Sequence, residues 1–292
     1  MMHNPYSRRR MLKQAAAFTG VVAVSSPWSA LARSFRTYQI GICDWSIEQH
    51  SQVEALALAK KIGVDGVQVS LGKVDNDMHL RQSKVQQAYQ EAARQYGVKV
   101  CSLAIGELNN VPYKSAPETI AWVRDSIDAA KAMGCPIVLL AFFEKGDLKG
   151  DESGQQEVIR RLRAVAPQAE AAGVTLGIES WLSANEHLKI IEAVGSPRVR
   201  VYYDLANSHK MGYDIYEELA QLGTEYICEI HAKENGYLLG QGKIDFKRVS
   251  SILDKMNYTG WVVIEGARPA ESALLPTYQA NYQYLNAVLN KT

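Results

Sequence analysis

No run of this sequence is long and apolar enough to span a bilayer. The nearest, Gln14 to Val24, is short and diluted by Ala, Gly and Thr, whereas a spanning helix takes about 20 apolar residues. A stable membrane anchor is therefore not expected. Excess charge of either sign is also missing: 32 Lys and Arg face 31 Asp and Glu, for a net charge of +1. Nucleic-acid binders carry a basic stripe, so no nucleic-acid partner is expected and the substrate should be small. Cysteine is scarce, four scattered residues with no Cys-x-x-Cys spacing, and a core of this size does not need disulfides. Buried free thiols are the reading, with a Cys43–Cys101 bridge left open. No Gly-x-Gly-x-x-Gly follows the first β-branched run, which argues against a dinucleotide-binding sheet. What is present, 47% apolar and 22% charged residues, suits a globular chain with a sizeable core.

Ser7-Arg8-Arg9-Arg10-Met11-Leu12-Lys13 is similar to the twin-arginine export signal of bacteria, and Ala30-Leu31-Ala32 supplies a small-x-small cleavage pattern. The expectation is a signal peptide over residues 1–32, read by the twin-arginine translocation machinery, with a periplasmic domain over residues 33–292.

From Tyr38 onward the chain alternates short β-branched runs with longer stretches of helical apolar spacing. Strands are predicted at residues 38–45, 65–71, 99–105, 137–142, 175–181, 200–205, 226–231 and 261–266. Helices fall between them, at 53–61, 80–96, 117–133, 155–172, 185–194, 215–222 and 246–256, with a last one over about 273–290. Gly63, Gly97, Gly134, Gly173, Gly195 and Gly223 each stand just past a helical run, where a chain stops in a left-handed turn. The strands begin about 32 residues apart, the length of one strand–helix unit. Eight such units predict a (β/α)8 TIM barrel, an α/β fold in one domain.

Reacting groups of such barrels sit at the carboxyl ends of the strands, and side chains alternate between lumen and helix layer. In strand five Val174, Leu176 and Ile178 face the helices, leaving Thr175, Gly177 and Glu179 in the lumen. In strand six Tyr202 and Asp204 face inward, in strand seven Glu229 and His231, and in strand eight Val263 and Glu265. Cys228 and Ile230 are assigned to the outer layer. The last inward position of four consecutive strands thus holds Glu179, Asp204, His231 and Glu265. Three carboxylates in a water-poor lumen raise each other's pKa unless positive charge sits among them. A single divalent ion answers that need, and hard oxygens with one imidazole suit Mn²⁺, with Mg²⁺, Co²⁺ or Zn²⁺ as alternatives. A polar cluster closed by Lys or Arg is the competing reading.

Gly177-Ile178-Glu179, Tyr203-Asp204-Leu205-Ala206-Asn207, Glu229-Ile230-His231-Ala232-Lys233-Glu234, Leu239-Gly240-Gln241-Gly242-Lys243-Ile244-Asp245-Phe246 and Val263-Ile264-Glu265 resemble the motifs of the xylose isomerase-like sugar isomerases and epimerases. The resemblance implies that Glu179, Asp204, His231 and Glu265 bind the metal. It also implies that Glu179 and Glu265 act as the acid/base pair on opposite faces of a sugar, moving a proton beside a carbonyl. The chain departs from the family in two places. Ser180-Trp181 follows the strand-five Glu where many members have Asn-His. The arginine that several ketose epimerases carry after the strand-seven motif has no counterpart, with Tyr237 near that place. The endonuclease branch needs further His and Asp ligands and a basic track, and neither is present.

Lys233, inward by parity, is a candidate catalytic group that could neutralise an oxyanion or donate a proton, or else pair with Glu234 or Glu265. Glu229, one layer below His231, is a candidate supporting group or half of a buried ion pair. Gln68, Trp45, Trp181 and Asn207 are candidate substrate-binding residues, the aromatics as walls for a sugar ring. Phe142 and Phe143 also lie near a strand end. His50, His79, His187 and His209 are read as surface or rim residues. The leading function is a metal-dependent isomerase or epimerase of a carbohydrate. A lyase or hydrolase of keto-glycosides and a non-catalytic carbohydrate-binding barrel are the alternatives, and homo-oligomerisation is left open.

Overall fold

The structure, a computed structural model, describes residues 38–291; the export signal expected over residues 1–32 lies outside them. Eight strands, β1 (Ile40–Cys43), β2 (Gly66–Ser70), β3 (Lys99–Ile105), β4 (Ile137–Phe142), β5 (Thr175–Ser180), β6 (Val199–Asp204), β7 (Ile227–Glu234) and β8 (Val262–Gly266), pair in chain order and in parallel. The sheet closes where Ile40, Gly41 and Ile42 of β1 meet Val262, Val263 and Ile264 of β8. The connecting helices are α1 (Ala55–Ile62), α2 (Ser83–Tyr96), α3 (Glu118–Met133), α4 (Glu152–Ala172), α5 (Ala184–Val194), α6 (Leu205–Lys210), α7 (Ile215–Tyr226), α8 (Phe246–Met256) and α9 (Leu274–Asn290). Among the described residues no helix is long and apolar enough to cross a membrane.

The differences from expectation are local. Helix α4 starts three residues early because Asp151 caps it, accepting a 2.9 Å hydrogen bond from the Gly154 amide. Helix α6 has no counterpart among the predicted helices: Asp204 turns the end of β6 directly into it, its Oδ1 accepting from the Asn207 amide at 2.7 Å. Helix α7 breaks at Gly223, whose φ of 58° no β-branched residue tolerates, at the stop read from the sequence.

Strand parity holds through most of the core. Val174, Leu176, Ile178, Val201, Tyr203, Val262 and Ile264 pack in the layer between strands and helices, while Ala104, Leu139, Tyr202 and, in a neighbouring cluster, Val263 fill the lumen. Cys228 is the exception: expected in the outer layer, it packs with the lumen group instead. The cause is a bulge. Val201 pairs with Ile227 and Tyr202 with Glu229, so Cys228 is the unpaired extra residue and alternation skips a beat. Gly177 makes room for it, since a Cβ there would stand 2.8 Å from Cys228 Sγ and 3.1 Å from Tyr202 Cβ. All four cysteines are free and buried, Cys43 beside Cys101 in the lumen.

Candidate metal centre and the cleft above it

The carboxyl ends of β5 to β8 bring Glu179, Asp204, His231 and Glu265 together, with one ligand atom of each within 4.8 Å of all the others. Asp204 and His231 are register partners on β6 and β7. His231 Nδ1 lies 2.9 Å from Glu179 Oε1, 3.4 Å from Glu265 Oε2 and 3.8 Å from Asp204 Oδ2. One imidazole nitrogen thus faces all three carboxylates. Asp204 Oδ2 is buried with no hydrogen-bond partner, an arrangement proteins avoid unless something else satisfies the atom. Three hard carboxylate oxygens, the orphaned Asp204 Oδ2 among them, and one nitrogen fit a divalent cation.

The electrostatics of the cluster point the same way. Burial, followed by repulsion from Glu265 and Glu179, pushes Asp204 up to about 7 against the pull of Lys233. Burial alone would lower His231, but Glu179 and Glu265 lift it to about 9. Burial raises Glu265 too, yet the Lys233 and His231 charges outweigh it and hold that carboxyl well below the usual carboxylate range. The cluster therefore retains protons where a metal would otherwise supply the positive charge.

Lys233 Nζ lies 2.8 Å from Glu265 Oε2 and 3.5 Å from Asp204 Oδ2. Burial opposes its charge, but Glu265 and Asp204 raise it well above the ordinary lysine value. It stands as a cation between the two carboxylates. Of the two partners weighed it has Glu265; Glu234 instead accepts from the Lys243 and Ile244 amides at 3.3 and 3.0 Å. Trp45 Nε1 donates to Glu265 Oε1 at 3.0 Å, so the expected ring wall is also a hydrogen-bond holder.

Gln68 does not reach the substrate side. It is fully buried, its Oε1 2.8 Å from His231 Nε2 and its Nε2 donating to Tyr202 Oη at 3.0 Å. The Cys43 thiol donates to the same Oε1 at 3.2 Å. Inward parity was right, but Gln68 lies one layer too deep, with the imidazole between it and the opening. Glu229, deeper still, forms no ion pair: both its oxygens lack a partner of hydrogen-bonding geometry. Burial raises it to about 7, while the Ser102 and Tyr202 hydroxyls that face it pull slightly downward.

Above the centre opens a cleft of about 500 Å³, within the usual size range of small-molecule sites. Glu179, Glu265 and Lys233 line it, whereas Asp204 and His231 do not. Trp45, Trp181 and Asn207 line it as expected, and Phe143 meets Trp181 edge-on at 5.3 Å. Phe142 instead turns into the helix layer. His187, expected at the surface, is buried under Ser180, whose Oγ is 2.9 Å from its Nε2; it faces inward from the apolar side of α5. His79 is half-buried against Tyr89, and His50 lines the cleft. The sequence reading missed Lys73, Asn109, Asn110 and Lys210 of the cleft wall. The first three sit in loops and 3₁₀ turns that carry no periodic signal. Lys210 stands one turn after Asn207, a spacing that becomes visible once α6 is recognised.

The family profile of xylose isomerase-like TIM barrels matches residues 56–287. An L-ribulose-5-phosphate 3-epimerase of Escherichia coli (strain SMS-3-5) is 26% identical over 231 residues, covering 73% of this chain and 81% of its own. A 2-epi-5-epi-valiolone 7-phosphate 2-epimerase of an Actinoplanes species is 25% identical over 224 residues, covering 74% of this chain and 82% of its own. The structure of a D-psicose 3-epimerase with D-tagatose, from Clostridium cellulolyticum H10, superposes with a TM-score of 0.73 at 18% identity, covering 86% of this chain and 99% of the other.

Proposed function

The chain belongs to the xylose isomerase-like TIM barrel family, and on that premise we propose that it is a metal-dependent sugar epimerase or isomerase that moves a proton on the carbon beside a carbonyl. The observation that carries this reading is the split within the cluster: two glutamates open onto the cleft while the aspartate and the histidine lie beneath it. Curated relatives named as sugar-phosphate and cyclitol-phosphate epimerases support the same reaction class.

Glu179, Asp204, His231 and Glu265 would hold the cation, Mn²⁺ being our choice on the hardness of the donors. The chemistry it supplies when bound is positive charge beside a carbonyl oxygen. Glu265, kept ionised by Lys233 and steadied by the Trp45 N–H, is in the form that accepts a proton. Glu179, fixed at 2.9 Å from His231, is its counterpart for return of a proton to the other face. Asp204 and His231 are holders. Lys233 is a positioning residue for Glu265 and adds fixed positive charge toward a developing oxyanion. Trp45, Trp181 and Asn207 bind the sugar, the rings by apolar contact and the amide by hydrogen bonding. The twin-arginine pattern supports a periplasmic site of action.

The test is solvent isotope exchange. The Mn²⁺-loaded protein, incubated in D₂O with a panel of ketoses, should place deuterium on the carbon next to the carbonyl of the substrate it converts. Conversion without deuterium incorporation would overturn the proton-transfer reading, and release of an aglycone from keto-glycosides would assign a lyase or hydrolase instead.

A further inference from the structure

Asp44 is the first residue past β1 and is fully buried, yet it belongs neither to the carboxylate cluster nor to the wall of the cleft. A carboxylate buried so completely needs donors to offset its lost hydration. Its Oδ2 accepts from the Ser70 amide at 2.8 Å and from the Ser51 amide at 3.2 Å, and its Oδ1 from the Ser70 hydroxyl at 2.8 Å. Burial pushes the carboxyl up to about 6, and the Ser70, Ser51 and Trp45 donors pull it back, which leaves it ionised at neutral pH. One side chain thereby ties the loop after β1 to the end of β2 and closes residues 44–51 on themselves. That loop contains two left-handed residues, Glu48 at φ 58° and Ser51 at φ 60°, conformations that persist only where the surroundings impose them.

The other side of the loop reaches β8. The ladder between β1 and β8 ends at Ile42 and Ile264, one residue short of Glu265, whereas β7 accompanies β8 as far as Gly266. Toward β1 the loop takes the place of the ladder: Trp45 Nε1 donates to Glu265 Oε1 at 3.0 Å, and Ser46 Oγ accepts from the Gly266 amide at 3.0 Å. Glu48 adds an ion pair with Arg268 at 2.9 Å. Glu265 is therefore held by Lys233 on one oxygen and by Trp45 on the other, and Trp45 adjoins the residue that anchors the loop. We propose that Asp44 is a positioning residue of this site: acting through Trp45, it fixes the direction in which the Glu265 carboxylate points. The consequence for turnover rests on the sugar-epimerase reading, in which Glu265 accepts the proton; the hold on Trp45 does not. A base displaced by about 1 Å can lose about 100-fold in rate, so a residue with no contact to the substrate can govern kcat.

The experiment uses the full chain and two readouts. In the Mg²⁺-loaded, ¹⁵N-labelled protein, the indole N–H signal of Trp45 is identified by its absence from Trp45→Phe. In Asp44→Ala that signal should move upfield and exchange faster with solvent, as a lost hydrogen bond requires. Asp44→Asn, which keeps the volume and gives up one acceptor oxygen, should move it the same way and serves if the alanine variant does not fold. In parallel, kcat is measured at saturating keto sugar and Mn²⁺ for the single and double variants. Removal of the Asp44 carboxylate should lower kcat about tenfold or more. It should add no further loss in the Trp45→Phe background, because two residues acting through one contact are not additive. If the Trp45 signal stays in place in the Asp44 variants, or if they lose the same factor with and without Trp45, the proposal is overturned. If the signal moves while wild type turns over no keto sugar, the hold on Glu265 stands and the epimerase reading falls.

Discussion

His231 Nε2 lies 2.8 Å from Gln68 Oε1, and that contact decides which imidazole nitrogen faces the carboxylates. An amide oxygen accepts, so Nε2 carries a proton; Nδ1 donates to Glu179 in the metal-free cluster and would turn its lone pair to a bound cation. Gln68→Met keeps the volume and removes the acceptor. Metal affinity measured by chelator competition should fall about 10–100-fold, with KM for the sugar little changed. Undiminished affinity would reduce Gln68 to lumen filling.

Replacing Glu179 or Glu265 with Gln tests the two candidate ligands that open onto the cleft. Each variant should bind less Mn²⁺ or Co²⁺ and lose turnover, as read by elemental analysis beside a sugar assay. Full metal content in both would contradict their place among the ligands.

The metal-free cluster predicts a pH dependence of stability. Asp204 and Glu229 at about 7, and His231 at about 9, all lie above their ordinary values. A group raised on folding stabilises below its unfolded pKa, and that contribution is lost as pH climbs through the folded value. Glu265 is shifted the other way, but its contribution is lost only in acid. The Tm of chelator-treated protein should therefore fall from pH 6 to 9. Added Mn²⁺ should raise Tm by an increment that grows over the same window, because the ion replaces the departing protons. A chelator-treated Tm that is flat or rising across it would sink this account.

Gly177 is kept small by the bulge on β7. Gly177→Ala sets a methyl group against Cys228 Sγ and Tyr202 Cβ, an overpacking that should cost about 1–3 kcal/mol. Urea unfolding of the variant measures it, and a paired Cys228→Ala substitution should recover part of the loss.

If residues 7–13 act as a twin-arginine signal, changing Arg8 and Arg9 together to Lys should hold the full chain in the cytoplasm of an expressing bacterium. Cell fractionation with an antibody gives the answer. A periplasmic double mutant would remove the twin-arginine reading.

The barrel was legible because two periodicities, 2 in the strands and 3.6 in the helices, run through the whole domain and glycines mark the changes. The four metal candidates were legible for the same reason: each ends an inward series whose outer partners, such as Ile178, Ile230 and Ile264, are plainly apolar. Parity says which way a side chain points but not how deep it sits, which is why Gln68 was assigned to the wrong side of His231. It also fails at a bulge, and Cys228 shows no sign of one in its neighbours. Lys73, Asn109 and Asn110 approach the cleft through turns whose course depends on tertiary contacts rather than local pattern.

The hold of Glu234 on the Lys243 and Ile244 amides closes the neck of the loop between β7 and α8 with a single side chain. Inside that neck Leu239 is buried and its amide is tied to Asn281, while Tyr237 stands free at the tip. A loop fastened at its base in this way is an exchangeable cassette. Substitutions at residues 235–237 should therefore leave Glu179 and Glu265 where they stand.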